Sequence, residues 1–341
     1  MNRAERLAES GWIPDWLLRE GIRRRLGQFL SAERRPVAEQ ELRLRAFIET
    51  LRNSPIAIET DAANRQHYEV PAEFFARVLG PRRKYSCCLW PDSVSSLAAA
   101  EDAMLRLTCE RAGLEDGMRV LDLGCGWGSL TLWIAEHFPH TRIVSVSNSR
   151  SQKAAIEEQA LRCGFSGLEV ITADAAHFAP AGVFDRVISV EMFEHARNVE
   201  ALLRRVASWL ASHGRLFVHV FCHRELAYAF DAGPGDWMAS EFFSGGMMPS
   251  ANLYLEFQRD LVVEQRWFVG GAHYARTLHA WLDRLDEQRD DLFALFARTH
   301  SPAQAARQLQ RWRMFLIGCE ESFAYGGGEE WFVAHYRFAK R

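Results

Sequence analysis

The sequence has 341 residues, a net charge of −3 and 48% hydrophobic residues, enough for one large domain with additions or for two small domains. It has no apolar run of about 18 residues and its first 25 residues are charged throughout, which predicts neither a spanning helix nor a secretory signal and favours the cytoplasm. The near-neutral charge argues against a nucleic-acid-binding protein. Seven cysteines without a CxxC pair favour neither a disulfide framework nor a metal cluster.

Residues 1–60 are predicted to form an N-terminal helical extension. Pro14 opens a segment whose apolar residues recur at helical spacing, and residues 39–51 repeat that spacing. Two basic clusters, Arg23 to Arg25 and Arg82 to Lys84, are interpreted as solvated faces in preference to phosphate or membrane contacts. The N-terminal helices are also candidates for pairing in a homodimer.

Residues 61–222 are predicted to form a cofactor-binding α/β core, because strands and helices alternate there. Such alternation indicates a parallel sheet that is covered on both faces. The predicted strands are 118–123, 142–147, 168–172, 184–190 and 215–221. The predicted helices are 129–138, 150–163 and 197–211. Parallel sheets bind ligands at the carboxyl ends of their strands, so motifs at those ends carry the most weight.

Residues 223–341 are predicted to cover the substrate and to supply the last strand of the core. This half is rich in aromatic side chains, which favours a flat or apolar substrate, although most of the eleven tryptophans are assigned to the core. The aromatic residues are Trp237, Phe242, Phe243, Tyr254, Phe257, Trp267, Phe268, Tyr274 and Trp281. Helices are predicted at 278–298 and 302–322, and a final strand at 331–339.

The segment from Val120 to Ser129 joins a predicted buried strand to a glycine turn and a helix. Gly124 and Gly126 allow the backbone to approach a ligand closely, since glycine adopts φ > 0 and has no Cβ. A dinucleotide fingerprint would need Gly or Ala where this chain has Ser129. Asp122 would repel a pyrophosphate and suits a cationic cofactor. The pattern resembles the first motif of class I S-adenosylmethionine-dependent methyltransferases; the alternative is a loop that binds nothing.

The ends of the next two strands offer groups for the rest of such a cofactor. Many class I methyltransferases have an acidic residue after the second strand, where this chain has Asn148. Asn148 or Gln152 is therefore predicted to bond the ribose, unless it caps the helix or faces solvent. Asp174, after the third strand, is predicted to accept from the adenine amino group; the alternative is an ordinary helix cap.

Several motifs follow one another along the chain. They are His67-Tyr68, Tyr85-Ser86-Cys87-Cys88, Asn148-Ser149-x-x-Gln152, Glu191-Met192-Phe193-Glu194-His195, Met248-Pro249-Ser250 and His273-Tyr274. From about residue 60 to the end, the chain thereby resembles the cyclopropane-fatty-acid-synthase-like methyltransferase superfamily, and within it the coclaurine and benzylisoquinoline N-methyltransferase branch. The resemblance implies a class I methyltransferase fold with S-adenosylmethionine as cofactor. It implies that Tyr85 and Ser86 meet the methionine end, Gly124 and Gly126 the backbone loop, and Gln152 the ribose.

The segment from Glu191 to His195 combines two carboxylates with an imidazole at the end of the fourth predicted strand. Methyl transfer from a sulfonium to an amine needs a neutral nitrogen, so a protonated amine must first lose its proton. His195 titrates near neutrality and is predicted to be the base. Glu191 and Glu194 are predicted to anchor the positive charge, and Glu194 is also a candidate to orient the imidazole. The alternative is that Glu194 and His195 only cap the next helix.

The resemblance also implies a possible anion site. The related cyclopropane synthases hold a bicarbonate ion with residues that match Cys87, Glu194, His219 and Tyr274, and all four types are present here. A substrate or bicarbonate pocket at Cys87, His219 and Tyr274 is one expectation, and ordinary packing is the other. Cys87 and Cys88 could also form a reactive pair, although no nearby base is evident in the sequence.

The leading hypothesis is N-methylation of a small amine, aromatic or alkaloid-like. The alternative is methylation of unsaturated acyl chains of phospholipids, for which a basic amphipathic N-terminal helix would reach a membrane surface. The comparable cyclopropane synthases have a small residue such as glycine at position 191, whereas Glu191 matches the amine methylators. A non-catalytic protein that keeps the fold is the third hypothesis, and the intact glycines and Glu-x-x-Glu-His cluster argue against it.

Overall fold

The computed structural model describes residues 7–57, 70–230, 237–243 and 245–341. The motif His67-Tyr68 lies outside the described residues. Helices α1 to α11 lie at Asp15–Glu33, Val37–Arg52, Ala72–Val78, Leu97–Ala112, Ser129–His137, Arg150–Cys163, Val199–Trp209, Trp237–Glu241, Gly271–Glu287, Arg289–Ala297 and Pro302–Ala324. Strands β1 to β9 lie at Arg119–Leu123, Arg142–Ser147, Leu168–Thr172, Phe184–Val190, Leu210–His223, Tyr228–Ala229, Met247–Met248, Leu261–Val269 and Trp331–Lys340.

The main sheet has seven strands in the order β3-β2-β1-β4-β5-β9-β8. Strands β1 to β5 run parallel, whereas β9 runs antiparallel to both β5 and β8. The chain moves outward from β1 in one direction and then crosses to β4 on its other side. The loops after β1 and β4 therefore leave the same edge of the sheet side by side, at the point where α/β sheets bind ligands.

The predicted α/β core is confirmed. Strands β2, β3 and β4 have the predicted bounds, β1 begins one residue later than predicted, and β5 is longer at both ends. Strands β1, β2, β4 and β5 are largely buried and mostly apolar, which is why their positions can be predicted from the sequence. Strand β3 lies at the edge of the sheet, and its residues Glu169 and Thr172 are exposed. The fold is that of a class I methyltransferase.

The second half departs from the prediction in two places. Strand β8 was assigned to the substrate wall because of Trp267 and Phe268, but it forms the edge of the main sheet. Polar and apolar residues do not alternate strictly along β8, so its pattern does not predict a strand. The helix predicted at 278–298 is two helices, α9 and α10, which meet at Gln288. The final strand, β9, is present as predicted.

Helices α1 and α2 occupy the region predicted to be helical, and α1 packs on α11. Arg19 of α1 forms ion pairs of 2.7 Å with both Glu320 and Glu321, and Arg23 also pairs with Glu321. The basic cluster at Arg23 thus takes part in a contact within the protein. Within the described ranges, every helix is too short or too polar to cross a bilayer.

Candidate active site

The candidate site lies at the carboxyl edge of the sheet, where β1 and β4 end. The glycine loop follows β1, and the turn that contains Glu191 and His195 follows β4. A cavity of about 850 Å³ and a smaller one of about 110 Å³ open there. Both are lined by Gly124, Gly126, Gln152, Glu191 and His195, so the two cavities adjoin along these residues.

The glycine loop is shaped for the close approach of a ligand. Gly124 has a φ of 85°, and a Cβ there would lie 2.7 Å from Cγ of Met192. Gly126 has a φ of 52°, and a Cβ there would meet only open space. A side chain at position 124 would both strain the backbone and collide, whereas Gly126 leaves room for a ligand beside the main chain.

Gly124→Val is expected to abolish binding of S-adenosylmethionine, because the branched side chain needs φ < 0 and would push Met192 into the site. Calorimetric titration with the cofactor measures the loss. Gly117→Val is the matched control, since Gly117 has a φ of 86°, faces open space and precedes β1 at the opposite edge of the sheet. Normal affinity in the Gly124 variant would mean that this loop does not bind the cofactor.

Asp122 lies in the wall of the larger cavity, behind the glycine loop. Its Oδ2 accepts a hydrogen bond of 2.6 Å from the hydroxyl of Thr131. Burial raises the pKa of Asp122 to about 6, and the bond from Thr131 opposes that rise. The group therefore carries negative charge at neutral pH and can favour a cationic ligand.

The smaller cavity holds the positions predicted to meet ribose and adenine. Asn148, Gln152 and Asp174 all line it. The side chain of Ser149 caps α6 by accepting from the backbone N–H of Gln152, so the alternative cap role of Asn148 and Gln152 is wrong. Asp174 accepts from the backbone N–H of Ala176 and closes a turn, and no helix of the described chain begins there.

The larger cavity holds the positions predicted to meet the methionine end. Tyr85 and Ser86 line it beside the glycine loop. The buried ammonium of Lys84 donates to the hydroxyl of Ser86 and, at 2.8 Å, to the carbonyl of Cys87. The hydroxyl of Ser129 is buried and has no hydrogen-bond partner among the described residues. A buried cation and an orphaned hydroxyl beside a glycine loop fit the carboxylate and amine of an amino-acid ligand.

Glu191 is the centre of the hydrogen-bond network in the site. Its Oε1 accepts from the backbone N–H of Cys87 at 2.9 Å and lies 3.2 Å from Nε2 of His219. Its Oε2 accepts from the hydroxyl of Tyr274 at 2.6 Å. Glu191 has a φ of 47°, a conformation that costs a residue with a side chain about 1–3 kcal/mol. The surrounding donors hold the residue in this strained conformation.

Glu191 and His195 each oppose the effect of burial on the pKa of the other. Burial raises the pKa of Glu191, while Lys84, the Tyr274 hydroxyl, the Cys87 N–H and His195 oppose the rise. Burial lowers the pKa of His195, and the charge of Glu191 opposes that change. The imidazole is therefore neutral at pH 7 and able to accept a proton next to a carboxylate that favours the resulting cation.

Glu194 is placed differently, and its predicted role as a charge anchor is corrected. The side chain lines neither cavity. Its Oε1 accepts from the backbone N–H of Phe221 at 2.7 Å. Burial and the charge of Glu191 raise the pKa of Glu194 well above its ordinary value. A side chain that is buried behind the cavity wall supports β5 and does not contact a cation in either cavity.

Cys87 and His219 line neither cavity, whereas Tyr274 lines the larger one. All three contact Glu191, so three of the four residues that the resemblance links to bicarbonate surround a carboxylate of this chain. Burial raises the pKa of the Cys87 thiol well above its ordinary value and that of Cys88 to about 12. Neither thiol is a thiolate at neutral pH, so the reactive-pair interpretation is wrong.

The aromatic residues of the second half divide between the cavity and the core. Trp237, Phe243, Tyr274 and Trp281 line the larger cavity. Tyr254 and Phe257 pack in a core cluster together with α7 and β5. Only part of the predicted aromatic wall therefore faces the substrate space.

Helix α1 lines the larger cavity, a position that was not predicted from the sequence. The side chains that it contributes share one apolar face; they are Leu17, Leu18, Ile22, Leu26 and Phe29. Helix α11 supplies the facing wall with Met314, Phe315 and Phe323. The spacing of the apolar residues in α1 predicts a buried face. The surface that covers this face is more than 280 residues away in the chain, so the spacing could not identify it.

The chain is similar to known proteins over most of its length. The model of the mycolic acid cyclopropane synthetase family matches residues 57–329. (S)-coclaurine N-methyltransferase of Thalictrum flavum subsp. glaucum is 38% identical over 339 residues, which cover 98% of this chain and 94% of that protein. Cyclopropane-fatty-acyl-phospholipid synthase of Escherichia coli (strain K12) is 30% identical over 270 residues, which cover 75% of this chain and 68% of that protein.

A solved structure has nearly the same fold over the whole chain. It is a crystal structure of coclaurine N-methyltransferase bound to N-methylheliamine and SAH, with a TM-score of 0.95 and 36% identity, and the match covers 98% of both chains. The similarity to an amine methyltransferase thus extends through the N-terminal helices. The similarity to the lipid enzyme covers three quarters of the chain.

Proposed function

The chain belongs to the mycolic acid cyclopropane synthetase family and is an S-adenosylmethionine-dependent methyltransferase, and on this premise we propose that it methylates the nitrogen of a small amine. The observation that carries the proposal is that Glu191 and His195 both line the apolar cavity, where the charge of the carboxylate favours a protonated imidazole. A cavity of about 850 Å³ suits an organic molecule with rings. Its aromatic walls can also stabilise a cationic amine, by about 0.5–2 kcal/mol through cation–π contact.

We propose that the two adjoining cavities hold the cofactor between them. The larger would take the methionine end at Tyr85, Ser86 and the glycine loop, with Asp122 behind it. The smaller would take ribose and adenine at Asn148, Gln152 and Asp174. The bound cofactor supplies an electrophilic methyl group on a sulfonium. The protein's own contribution is to bind, orient and deprotonate the acceptor.

We propose that Glu191 binds the protonated amine and that His195 removes its proton. The ammonium would lie against the carboxylate, which its three donors hold in one orientation. Nitrogen then has a lone pair to form the new bond to carbon as the carbon–sulfur bond breaks. His195 retains the proton as an imidazolium beside Glu191 and later gives it to water. Glu194 has no part in this proton transfer in our proposal.

We propose further that Glu191 replaces the bicarbonate ion that the resemblance to cyclopropane synthases implies. A carboxylate and a bicarbonate present the same pair of oxygen acceptors. Here the backbone of Cys87 and the side chains of His219 and Tyr274 already bond the oxygens of Glu191. The conformation of residue 191 favours glycine, and the resemblance implies a small residue such as glycine there in the lipid enzymes.

Removal of bicarbonate is therefore expected to leave the activity unchanged. Rates in degassed, bicarbonate-free buffer are compared with rates after bicarbonate is added back. The Glu191→Gly variant removes the carboxylate, leaves space for a small anion and relieves the backbone strain at residue 191. Its residual activity is therefore expected to increase when bicarbonate or acetate is supplied. A wild-type rate that falls without bicarbonate would show that the ion is needed in addition to Glu191.

Parallel assays with amines and with unsaturated phospholipids test the proposed function. Purified protein is incubated with isotopically methyl-labelled cofactor and each acceptor, and products are identified by mass. Amines on an aromatic framework are expected to gain the label, and vesicles of anionic unsaturated phospholipid are expected to stay unlabelled. Labelled acyl chains, together with flotation of the protein with such vesicles, would favour the lipid alternative. The cytoplasmic location and the homodimer stay predictions, which cell fractionation and light scattering would test.

A further inference from the structure

A chain of hydrogen bonds runs from Glu191 away from the cavity and through the sheet. Nε2 of His219 lies 3.2 Å from Oε1 of Glu191, and Nδ1 of His219 lies 2.9 Å from Nε2 of His335. Nδ1 of His335 lies 2.8 Å from Nη1 of Arg111, in the last turn of α4. The two histidines are directly paired across β5 and β9, and both are fully buried.

The chemistry of Arg111 determines the direction of every hydrogen bond in this chain. A guanidinium can only donate, so Nδ1 of His335 must accept. His335 then carries its proton on Nε2 and donates to Nδ1 of His219. His219 in turn carries its proton on Nε2 and donates to Glu191. A cation at one end of the chain thus presents an N–H donor to the carboxylate at the other end.

Both imidazoles are neutral, as this arrangement requires. Burial lowers the pKa of His219 and of His335 well below the ordinary value. The positive charges of Arg111 and Lys84 lower both values further. Arg111 is half-buried, with its guanidinium 5.1 Å from the ring centre of Trp267. It stays a cation, so the chain cannot release a proton to solvent through Arg111.

We propose that Arg111 is a positioning residue which, through His335 and His219, fixes the donor that keeps Glu191 ionised and oriented toward the amine. This inference rests on the proposed role of Glu191 and adds two residues, Arg111 and His335, that line neither cavity. Without Arg111, the hydrogen bonds through the two neutral histidines could be donated in either direction along the chain. In the opposite direction His219 would present a lone pair to Glu191, and the carboxyl would need a proton of its own.

The sign of the pH effect follows from this geometry. A donor favours the ionised carboxylate, so its loss raises the pKa of Glu191. Both Glu191 and His195 must be unprotonated in the proposed mechanism, so the acidic limb of the kcat/KM profile reflects both pKa values and should move to higher pH when the pKa of Glu191 rises. Other groups that face Glu191 stay in place in the variants described below; they are Lys84, Cys87, Cys88, Glu194, His195, Tyr274 and Cys319.

Arg111→Met is expected to move the acidic limb of kcat/KM upward by about one pH unit, a tenfold loss at low pH. Arg111→Lys keeps a group that can only donate, so it is expected to retain the wild-type midpoint. Arg106→Met changes an exposed arginine on the same helix and is the matched control. A purely structural role of Arg111 would lower kcat and the melting temperature without moving the midpoint.

Nitrogen-15 NMR of the histidines tests the chain without reference to activity. In the wild-type protein at pH 7, His219 and His335 are expected to be neutral with the proton on Nε2. In Arg111→Met the Nδ1–H form is expected to appear at both. A wild-type His219 with its proton on Nδ1 would overturn the inference, and so would an Arg111→Met protein with unchanged tautomers or an unmoved acidic limb.

Different results would contradict the proposed function and the proposed role of Arg111. If Glu191→Gln retained full activity, Glu191 would not anchor the amine, whatever the tautomers of His219 and His335 are. If Glu191→Gln is inactive while Arg111→Met has wild-type tautomers and a wild-type pH profile, only the present inference fails.

Discussion

His195→Ala is expected to lower kcat for amine methylation by about 10²–10⁴-fold, the usual contribution of a positioned general base. The side chain reaches the wall that both cavities share, and its lowered pKa keeps it neutral at pH 7. Without it a protonated amine bound at Glu191 has no acceptor for its proton. The dissociation constant of the cofactor is expected to change much less than kcat. Steady-state kinetics and calorimetric titration measure the two quantities.

The pH profile of the wild-type enzyme gives a second test of His195. A base with a pKa below the ordinary value of 6.5 is neutral above that value and becomes protonated as the pH falls further. The rate should therefore be level at neutral pH and decline on the acidic side. His213→Ala replaces an exposed histidine of β5 and should leave the profile unchanged. An acidic decline that is the same in His195→Ala as in the wild-type protein would remove His195 from the proton transfer.

The α/β core could be predicted from the sequence because its central strands are largely buried and mostly apolar. Such strands are short apolar runs between turn residues, and the glycine loop marks where the first one ends. Strand β8 mixes polar and apolar residues without strict alternation, so the sequence does not predict it as a strand of the sheet and its aromatic residues favour a substrate wall instead. The pattern of polar and apolar residues in a segment indicates how much of the segment is buried. It does not indicate which other segments cover it.

Individual residues of the candidate site could be predicted from the sequence, but the hydrogen bonds that join them could not. Glu191 and His195 are neighbours in sequence, and their placement after β4 marked them for chemistry. The partners of Glu191 come from three remote places: the loop before α4, strand β5 and helix α9. Their approach depends on the closed sheet and on the packing of α9. The resemblance indicated an anion among these residues, and the structure places a side-chain carboxylate there.

Glu191→Gln is expected to impair catalysis more through amine binding than through the fold. The amide has the same shape but no charge, and its NH₂ must face one of three groups that already donate. Loss of one partner of a buried charge pair costs about 2–5 kcal/mol. That cost is roughly a 30- to 4,000-fold decrease in kcat/KM, at 1.4 kcal/mol for each factor of ten. Kinetics with an accepted amine, beside a thermal melt, separate the two effects.

Glu194→Gln is the matched control for this variant. Glu194 lines neither cavity, so it does not contact an amine that is bound there, and the amide has the same shape as the carboxyl group that it replaces. The amide oxygen can still accept from the backbone N–H of Phe221. Glu194→Gln should thus stay close to the wild-type kcat/KM. Equal losses in both variants would contradict the division of roles, since they would show that Glu194 also works as a carboxylate and that Glu191 is not the sole anchor of the amine.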